Sequence, residues 1–224
     1  MIIGTGQIAQ SLLNNFNPNN ILVFASGVSN SNTTDSQEFE KEAALLKKYL
    51  QQYPDKKIYY FSSCALVEET SLHIPYYRHK KNMENLVQTH KNYMICRLPQ
   101  VFGKIKEHPT LINVLFNHIK KGQTLNIWDN AYRYVIHLND LPYILAYIEK
   151  SHMNNTIINI ANPYRYTILE LVSCIEKILQ KTAHIHLIQK EDGYLLDLEF
   201  INEYVIKNHI THFGKDYFCK KMNL

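Results

Sequence analysis

Apolar positions along this chain fall into two patterns. Ile21-Leu22-Val23-Phe24-Ala25 and Ile58-Tyr59-Tyr60-Phe61 are unbroken runs of strand length, as expected of strands covered on both faces. Between them, residues 36–53 carry Phe39, Ala43, Leu46 and Leu50 at helical spacing with charges between, the pattern of an amphipathic helix. Strands are expected near 1–3, 21–25, 57–61 and 93–97, alternating with helices near 7–15, 36–53 and 78–90. That order predicts a parallel sheet with crossover helices, an α/β fold. Further helices are expected near 109–121, 139–150, 167–180 and 199–207, and short strands near 124–128, 134–137, 157–160 and 184–188.

Composition narrows the class. The 224 residues suffice for one domain, or one plus a small lobe, with a real core,. Charged residues make up 20% and the net charge is only +4, so no basic stripe points to nucleic acid. No apolar run reaches bilayer length, and Met1-Ile2-Ile3 leads straight into a glycine turn without a charged leader, so no signal peptide is expected. Cys64, Cys96, Cys174 and Cys219 are widely spaced and read as reduced thiols of a cytoplasmic protein.

The candidate chemistry lies in Tyr76-Tyr77-Arg78-His79-Lys80. Residues i and i+4 share a helix face, so Tyr76 and Lys80 project together. A phenol ionises near pH 10 and is a poor acid–base group at neutral pH. A nearby ammonium favours the phenolate and brings it toward the working range. Tyr77 and Lys81 have the same spacing, and an exposed helix with an ordinary Tyr and Lys would show it too.

The surrounding residues decide between these. Phe61-Ser62-Ser63-Cys64-Ala65-Leu66-Val67, Pro75-Tyr76-Tyr77-Arg78-His79-Lys80 and Glu84 resemble the active-site segment of extended short-chain dehydrogenases/reductases. Met94-Ile95-Cys96-Arg97-Leu98-Pro99-Gln100-Val101-Phe102-Gly103, Arg133-Tyr134-Val135-Ile136-His137-Leu138-Asn139-Asp140-Leu141 and Ile158-Asn159-Ile160-Ala161 with Tyr166-Thr167-Ile168-Leu169-Glu170-Leu171 resemble that family's later motifs in the same order. The resemblance selects Tyr76 and Lys80 over Tyr77 and Lys81. It implies a Rossmann-like sheet and a substrate lobe formed mainly by about 104–224 within a single domain, 1–224. It also implies an NAD or NADP cofactor, a nucleotide-sugar substrate and a homodimer packed partly through the Tyr76 helix.

The amino-terminal part departs from the family. Gly4-Thr5-Gly6-Gln7-Ile8-Ala9 forms a G-x-G-x-x-A turn, which suits either a pyrophosphate or a tight strand-to-helix connection. The next strand, with Ala25, Ser26 and Gly27 after it, resembles the family's fourth strand and its loop near the nicotinamide. Two strand–helix units are then missing between Leu13 and Ile21. An NAD-binding fold usually carries an acid about 20 residues past its glycines, and an NADP-binding fold an Arg nearby. Here the first acid is Asp35 and the first base Lys41. A loop such as Asn17-Pro18-Asn19-Asn20, or a partner, would have to supply the missing wall; otherwise binding is weak or absent.

By the same resemblance, Gly4, Gly6, Gln7, Ile8, Ala25, Ser26, Gly27, Lys80 and Pro99 line the cofactor. Cys64 replaces the Ser or Thr that holds the substrate oxygen, and Ser63 is its possible substitute. A thiol donates weakly, and a small buried packing residue is the other reading of Cys64. Arg133 matches an Arg on the substrate diphosphate, a geometry its fork suits, or is a surface residue. Gln100 falls at a ligand-touching amide or caps a turn. Trp128 and Tyr132 line a pocket or pack the lobe. His184 with His186, and His209 with His212, lack a third ligand, so no metal site is expected. The favoured function is an NAD(P)-dependent reductase or epimerase on a nucleotide-linked sugar, in surface-polysaccharide synthesis. Dehydration is disfavoured because Ala65-Leu66 lacks the acidic pair of dehydratases. The rival is a non-catalytic relative that binds a nucleotide sugar or a partner enzyme without a dinucleotide.

Overall fold

The computed structural model describes residues 1–13, 15–16, 20–105 and 110–223. Residues 17–19 of the loop proposed above as a substitute wall lie outside this set. The first elements are β1 (Ile2–Ile3), α1 (Gln7–Leu13), β2 (Ile21–Phe24), α2 (Ser36–Gln52), β3 (Lys57–Ser63), α3 (Pro75–Gln88), β4 (Tyr93–Leu98) and β5 (Gln100–Phe102). There follow α4 (Leu111–Lys121), β6 (Leu125–Arg133), β7 (Val135–His137), α5 (Leu141–Lys150), β8 (Thr156–Asn159) and β9 (Tyr166–Thr167). The chain closes with α6 (Ile168–Leu179), β10 (Ile185–Asp192), α7 (Glu199–Lys207) and α8 (Tyr217–Met222).

The chain divides into two compact units. The first comprises Met1–Leu98 and Leu138–Ile160, the second Pro99–His137 and Ala161–Leu224. In the first, a five-stranded sheet runs in the order β1-β2-β3-β4-β8, every pair parallel. The apolar runs are its central strands: β2 is buried at all four positions and β3 at six of seven. Leu22, Phe24, Ile58, Tyr60 and Ile95 from the sheet pack with Leu46 of α2 and Met83 and Val87 of α3 in one core. Asp35 caps α2, its carboxylate accepting from the Gln37 N–H at 2.9 Å, which satisfies one of the donors every helix start leaves open.

The order within this sheet bears directly on function. In doubly wound folds a dinucleotide lies where the strand order reverses, in the crevice between two outward-running halves. Here the order increases monotonically from β1 to β8, and β1, two residues long, is the edge. β1 pairs with β2, Ile2 against Val23 and Ile3 against Phe24, as the first and fourth strands of the full order do; the edge position of β1 is what the loss of two strand–helix units implies.

The second unit holds a three-stranded sheet, β10-β6-β9, and the pair β5-β7. Helix α6 begins with a complete capping box: Thr167 accepts from the Glu170 N–H, and the Glu170 carboxylate accepts from the Thr167 N–H,. Cys174 of α6 and Cys219 of α8 form a disulfide, whereas Cys64 and Cys96 are free and buried. The expectation of four reduced thiols is thus corrected. A separation of 45 residues hid the pairing, because only the packing of α8 on α6 brings the two sulfurs together. Among the described residues no helix is long and apolar enough to cross a membrane, and none cluster as three or more potential metal ligands.

Candidate active site

Helix α3 starts at Pro75, three residues earlier than the apolar pattern suggests. Proline at the first position is preset for a helix and needs no hydrogen bond there. Tyr76 and Lys80 therefore both lie in its first turns, on one face, with the Lys80 ammonium 5.7 Å from the Tyr76 ring centre. The pairing read from the sequence is formed.

Its electrostatics differ from the expected ones. Lys80 is 3% exposed, and its ammonium donates to the Glu42 carboxylate at 3.1 Å and the Tyr60 hydroxyl at 3.2 Å. Tyr76 is half-buried; burial, and after it the Glu42 charge, push its phenol above the ordinary range. With the ammonium beside it the phenol still lies above its ordinary range, first because it is buried and second because of the Glu42 charge. This corrects the pKa-lowering role assigned to Lys80.

Glu42 is the residue the sequence reading missed. It is 4% exposed and accepts from four donors: the Val28 N–H at 2.7 Å, His79 Nε2 at 2.9 Å, Tyr60 OH at 3.0 Å and Lys80 at 3.1 Å. Burial alone would raise its pKa. The His79 hydrogen bond, the Lys80 charge and the Val28 N–H outweigh it and hold the carboxyl at about 2,. The signal was present in the sequence: Glu42 sits within the stripe Phe39, Ala43, Leu46, where an acid has no business unless it is partnered. His79 stacks on Phe39, ring centres 4.5 Å apart.

The loop after β2 closes over this cluster. A Cβ on Gly27 would lie 2.7 Å from the Lys80 ammonium and 3.1 Å from the Glu42 carboxylate, so any side chain there would have to push the Lys80–Glu42 pair aside. Gly4 is likewise demanded by packing: at φ +123° its backbone abuts the Ala25 carbonyl,. Gly6 differs, since a Cβ there would meet nothing within 4 Å. Of the glycine turn, Gly4 is explained by structure and only Gly6 faces open space. Gln7 and Ile8 open α1, both half-buried. Ala25 and Ser26 are half-buried too.

The expected oxygen-holding pair, Cys64 and Ser63, makes local backbone contacts. Cys64 is fully buried and its thiol donates to the Arg97 carbonyl at 3.2 Å; burial pushes the thiol up. Ser63 accepts from the Ala65 N–H at 3.3 Å, capping the 3-10 turn Cys64–Val67. Both are therefore engaged with backbone. Ser62, which the sequence reading passed over, is 7% exposed and its buried hydroxyl has no hydrogen-bond partner among the described residues. Glu84, one turn past Lys80, is fully buried and grips Arg97 of β4 through two hydrogen bonds of 2.8 and 2.7 Å, which fixes the register of α3 on the sheet.

In the second unit, Arg133 is ion-paired to Asp192 and donates to the Tyr132 carbonyl at 2.8 Å. Its fork is occupied within the unit, and the expected diphosphate contact would have to displace Asp192. Pro99 and Gln100 are half-buried; the Gln100 N–H pairs with the Tyr134 carbonyl at 3.2 Å. Trp128 lies beneath the Lys190 ammonium at 3.7 Å and Tyr132 beneath the Arg165 guanidinium at 4.3 Å. Both rings have packing partners of their own.

No family model and no curated protein sequence matches the chain. Solved structures do match in fold. A UDP-N-acetylglucosamine 4-epimerase from Methanobrevibacter ruminantium M1, in complex with UDP-N-acetylmuramic acid, superposes with a TM-score of 0.70 at 16% identity, covering 91% of this chain and 74% of its own. An NAD-dependent NDP-hexosamine 5,6-dehydratase of tunicamycin biosynthesis gives 0.71 at 11% identity, covering 90% and 75%. A GDP-mannoheptose C4 reductase from Campylobacter jejuni with NADP bound gives 0.60 at 14% identity, covering 82% and 76%. The chain therefore has the Rossmann-like fold of nucleotide-sugar epimerases, reductases and dehydratases, with its sheet ending at β1.

Proposed function

We propose that the chain is an NAD(P)-dependent enzyme acting on a nucleotide-linked sugar, in polysaccharide assembly, with Tyr76 as the general acid/base. The observation that carries this reading is the formed pair: Tyr76 and Lys80 on one face of α3, 5.7 Å apart, beside the loops that follow β2 and β3. The fold shared with enzymes of that substrate class supports it. A phenol at this place exchanges a proton with a carbonyl or carbinol oxygen, and NAD or NADP, when bound, supplies or accepts the hydride.

The residues present fit the near half of such a cofactor better than the far half. Open space at Gly6 admits the pyrophosphate, and Ala25, Ser26 and Gly27 border the nicotinamide side. The adenosine half meets no strand beyond β1 among the described residues. Lys80 would act through its charge, since Gly27 and Glu42 close off its ammonium.

A second reading is a non-catalytic binder of a nucleotide sugar or a partner enzyme. The edge position of β1 and the engagement of Lys80 by Glu42 favour it. Tyr76→Phe distinguishes the two. On the enzyme reading it removes turnover of 4-keto nucleotide sugars by at least about a hundredfold while leaving ligand affinity within about threefold. Unchanged turnover in a folded variant would refute the assignment of Tyr76.

A further inference from the structure

The Glu42 cluster does more than neutralise a buried lysine. One carboxylate collects four donors from three directions: the Val28 N–H from the loop after β2, the Tyr60 hydroxyl from β3, and His79 and Lys80 from α3. An ammonium whose only task is to favour a phenolate needs no such partner, and a carboxylate beside it works against that task. The titratable groups around Tyr76 and Glu42 among the described residues are His79, Lys80 and Tyr77 on α3 and Tyr60 on β3, with Glu84 of α3 behind Tyr60. Of these, Glu84 is committed to Arg97. Besides burial, the charge that opposes ionisation of the phenol is that of Glu42, and the cation nearest the ring, Lys80 at 5.7 Å, is held by the same carboxylate.

We infer that Glu42 is a positioning residue that keeps Lys80 on its own carboxylate and Tyr76 as a protonated phenol, so that the resting site is poised to give a proton to the carbonyl oxygen of a keto sugar. This rests on the assignment of Tyr76 above. In that step the phenol O–H breaks and its proton goes to the carbonyl oxygen of the substrate. The carbonyl π bond opens as a hydride from a reduced nicotinamide dinucleotide forms the new C–H bond, and the tyrosinate left behind takes a proton from water. The reverse reaction, which is also the first step of an epimerase that oxidises its sugar, needs the phenolate that Glu42 disfavours.

The test follows tyrosinate absorbance near 295 nm during alkaline titration, with Tyr76→Phe subtracted in each background to isolate one phenol. It needs neither cofactor nor substrate. In the unmodified protein the Tyr76 signal has its midpoint above pH 9, and a midpoint below that overturns the inference even if no Glu42 variant folds. In Glu42→Gln, which keeps the acceptor oxygen and loses the charge, the midpoint lies at least one unit lower, a tenfold larger phenolate ratio at any pH; Glu42→Asp, which keeps the charge, stays nearer the unmodified protein. A Glu42→Gln midpoint that does not fall by a full unit overturns it. If the titration behaves as expected but Tyr76→Phe leaves turnover unchanged, it is the enzyme reading that fails and not the role of Glu42 toward the phenol.

Discussion

Glu84 and Arg97 form the contact that holds the Tyr76 helix to the sheet, and breaking it has a calculable cost. Glu84 is fully buried, and the Arg97 side chain is 14% exposed. Their two hydrogen bonds, 2.8 and 2.7 Å, form the parallel fork of a bidentate pair. Lys81 also approaches Glu84, at 3.7 Å, but its side chain is 40% exposed and contributes little. Removing one member of a buried pair leaves an uncompensated charge and costs about 3–5 kcal/mol. Arg97→Met should fall at the upper end, because it strands the more deeply buried carboxylate, and Glu84→Ala at the lower end. Replacing both, as Glu84→Ala with Arg97→Met, removes both charges and should cost no more than about 3 kcal/mol, less than the sum of the two single changes. Equilibrium urea unfolding of the four proteins closes the cycle, with a coupling energy of at least about 2 kcal/mol. A Glu84→Ala variant that loses less than about 1 kcal/mol with no measurable coupling would refute the claim that this pair anchors α3.

Two further outcomes are expected. Glu42 falls from 4.5 to about 2 on folding; a depressed carboxyl stabilises the fold above its unfolded pKa, so this contribution, about 3 kcal/mol, is complete above about pH 4.5 and is lost as pH falls toward 2. Urea midpoints of the unmodified protein and Glu42→Gln should therefore converge over that window, and parallel curves would contradict the burial and partners assigned to Glu42. Cys64→Ala should keep turnover within about threefold while costing about 1 kcal/mol of stability, since the thiol serves the Arg97 carbonyl; a turnover loss above about tenfold would restore Cys64 as a substrate ligand.

Periodicity was informative where an element is long and packs on one face. Phe39, Ala43, Leu46 and Leu50 located α2 to within a residue, and the unbroken runs located β2 and β3 because parallel strands are covered on both sides,. It failed where elements are short or owe their length to a partner. Helix α8 has six residues, held by fully buried Tyr217 and Phe218. β10 extends to Asp192 only because it pairs with β6. Tyr76 with Lys80 could be read from spacing, since both lie on one helix. The disulfide and the Glu42 cluster could not be paired by spacing, since each joins residues on different elements, 45 positions apart in the disulfide and 14 to 38 in the cluster. An acid in an apolar stripe was the one trace Glu42 left.

The central claim, that a sheet ending at β1 still serves a nicotinamide-dependent site at Tyr76, is tested most directly by calorimetric titration of the folded protein with NADH, NADPH and reduced nicotinamide mononucleotide. The account predicts that a dinucleotide binds, and that the mononucleotide binds within about tenfold of it, because the adenosine half finds no strand beyond β1 among the described residues. Absence of binding by all three at millimolar concentration would contradict it and leave the nucleotide-sugar or partner-binding reading.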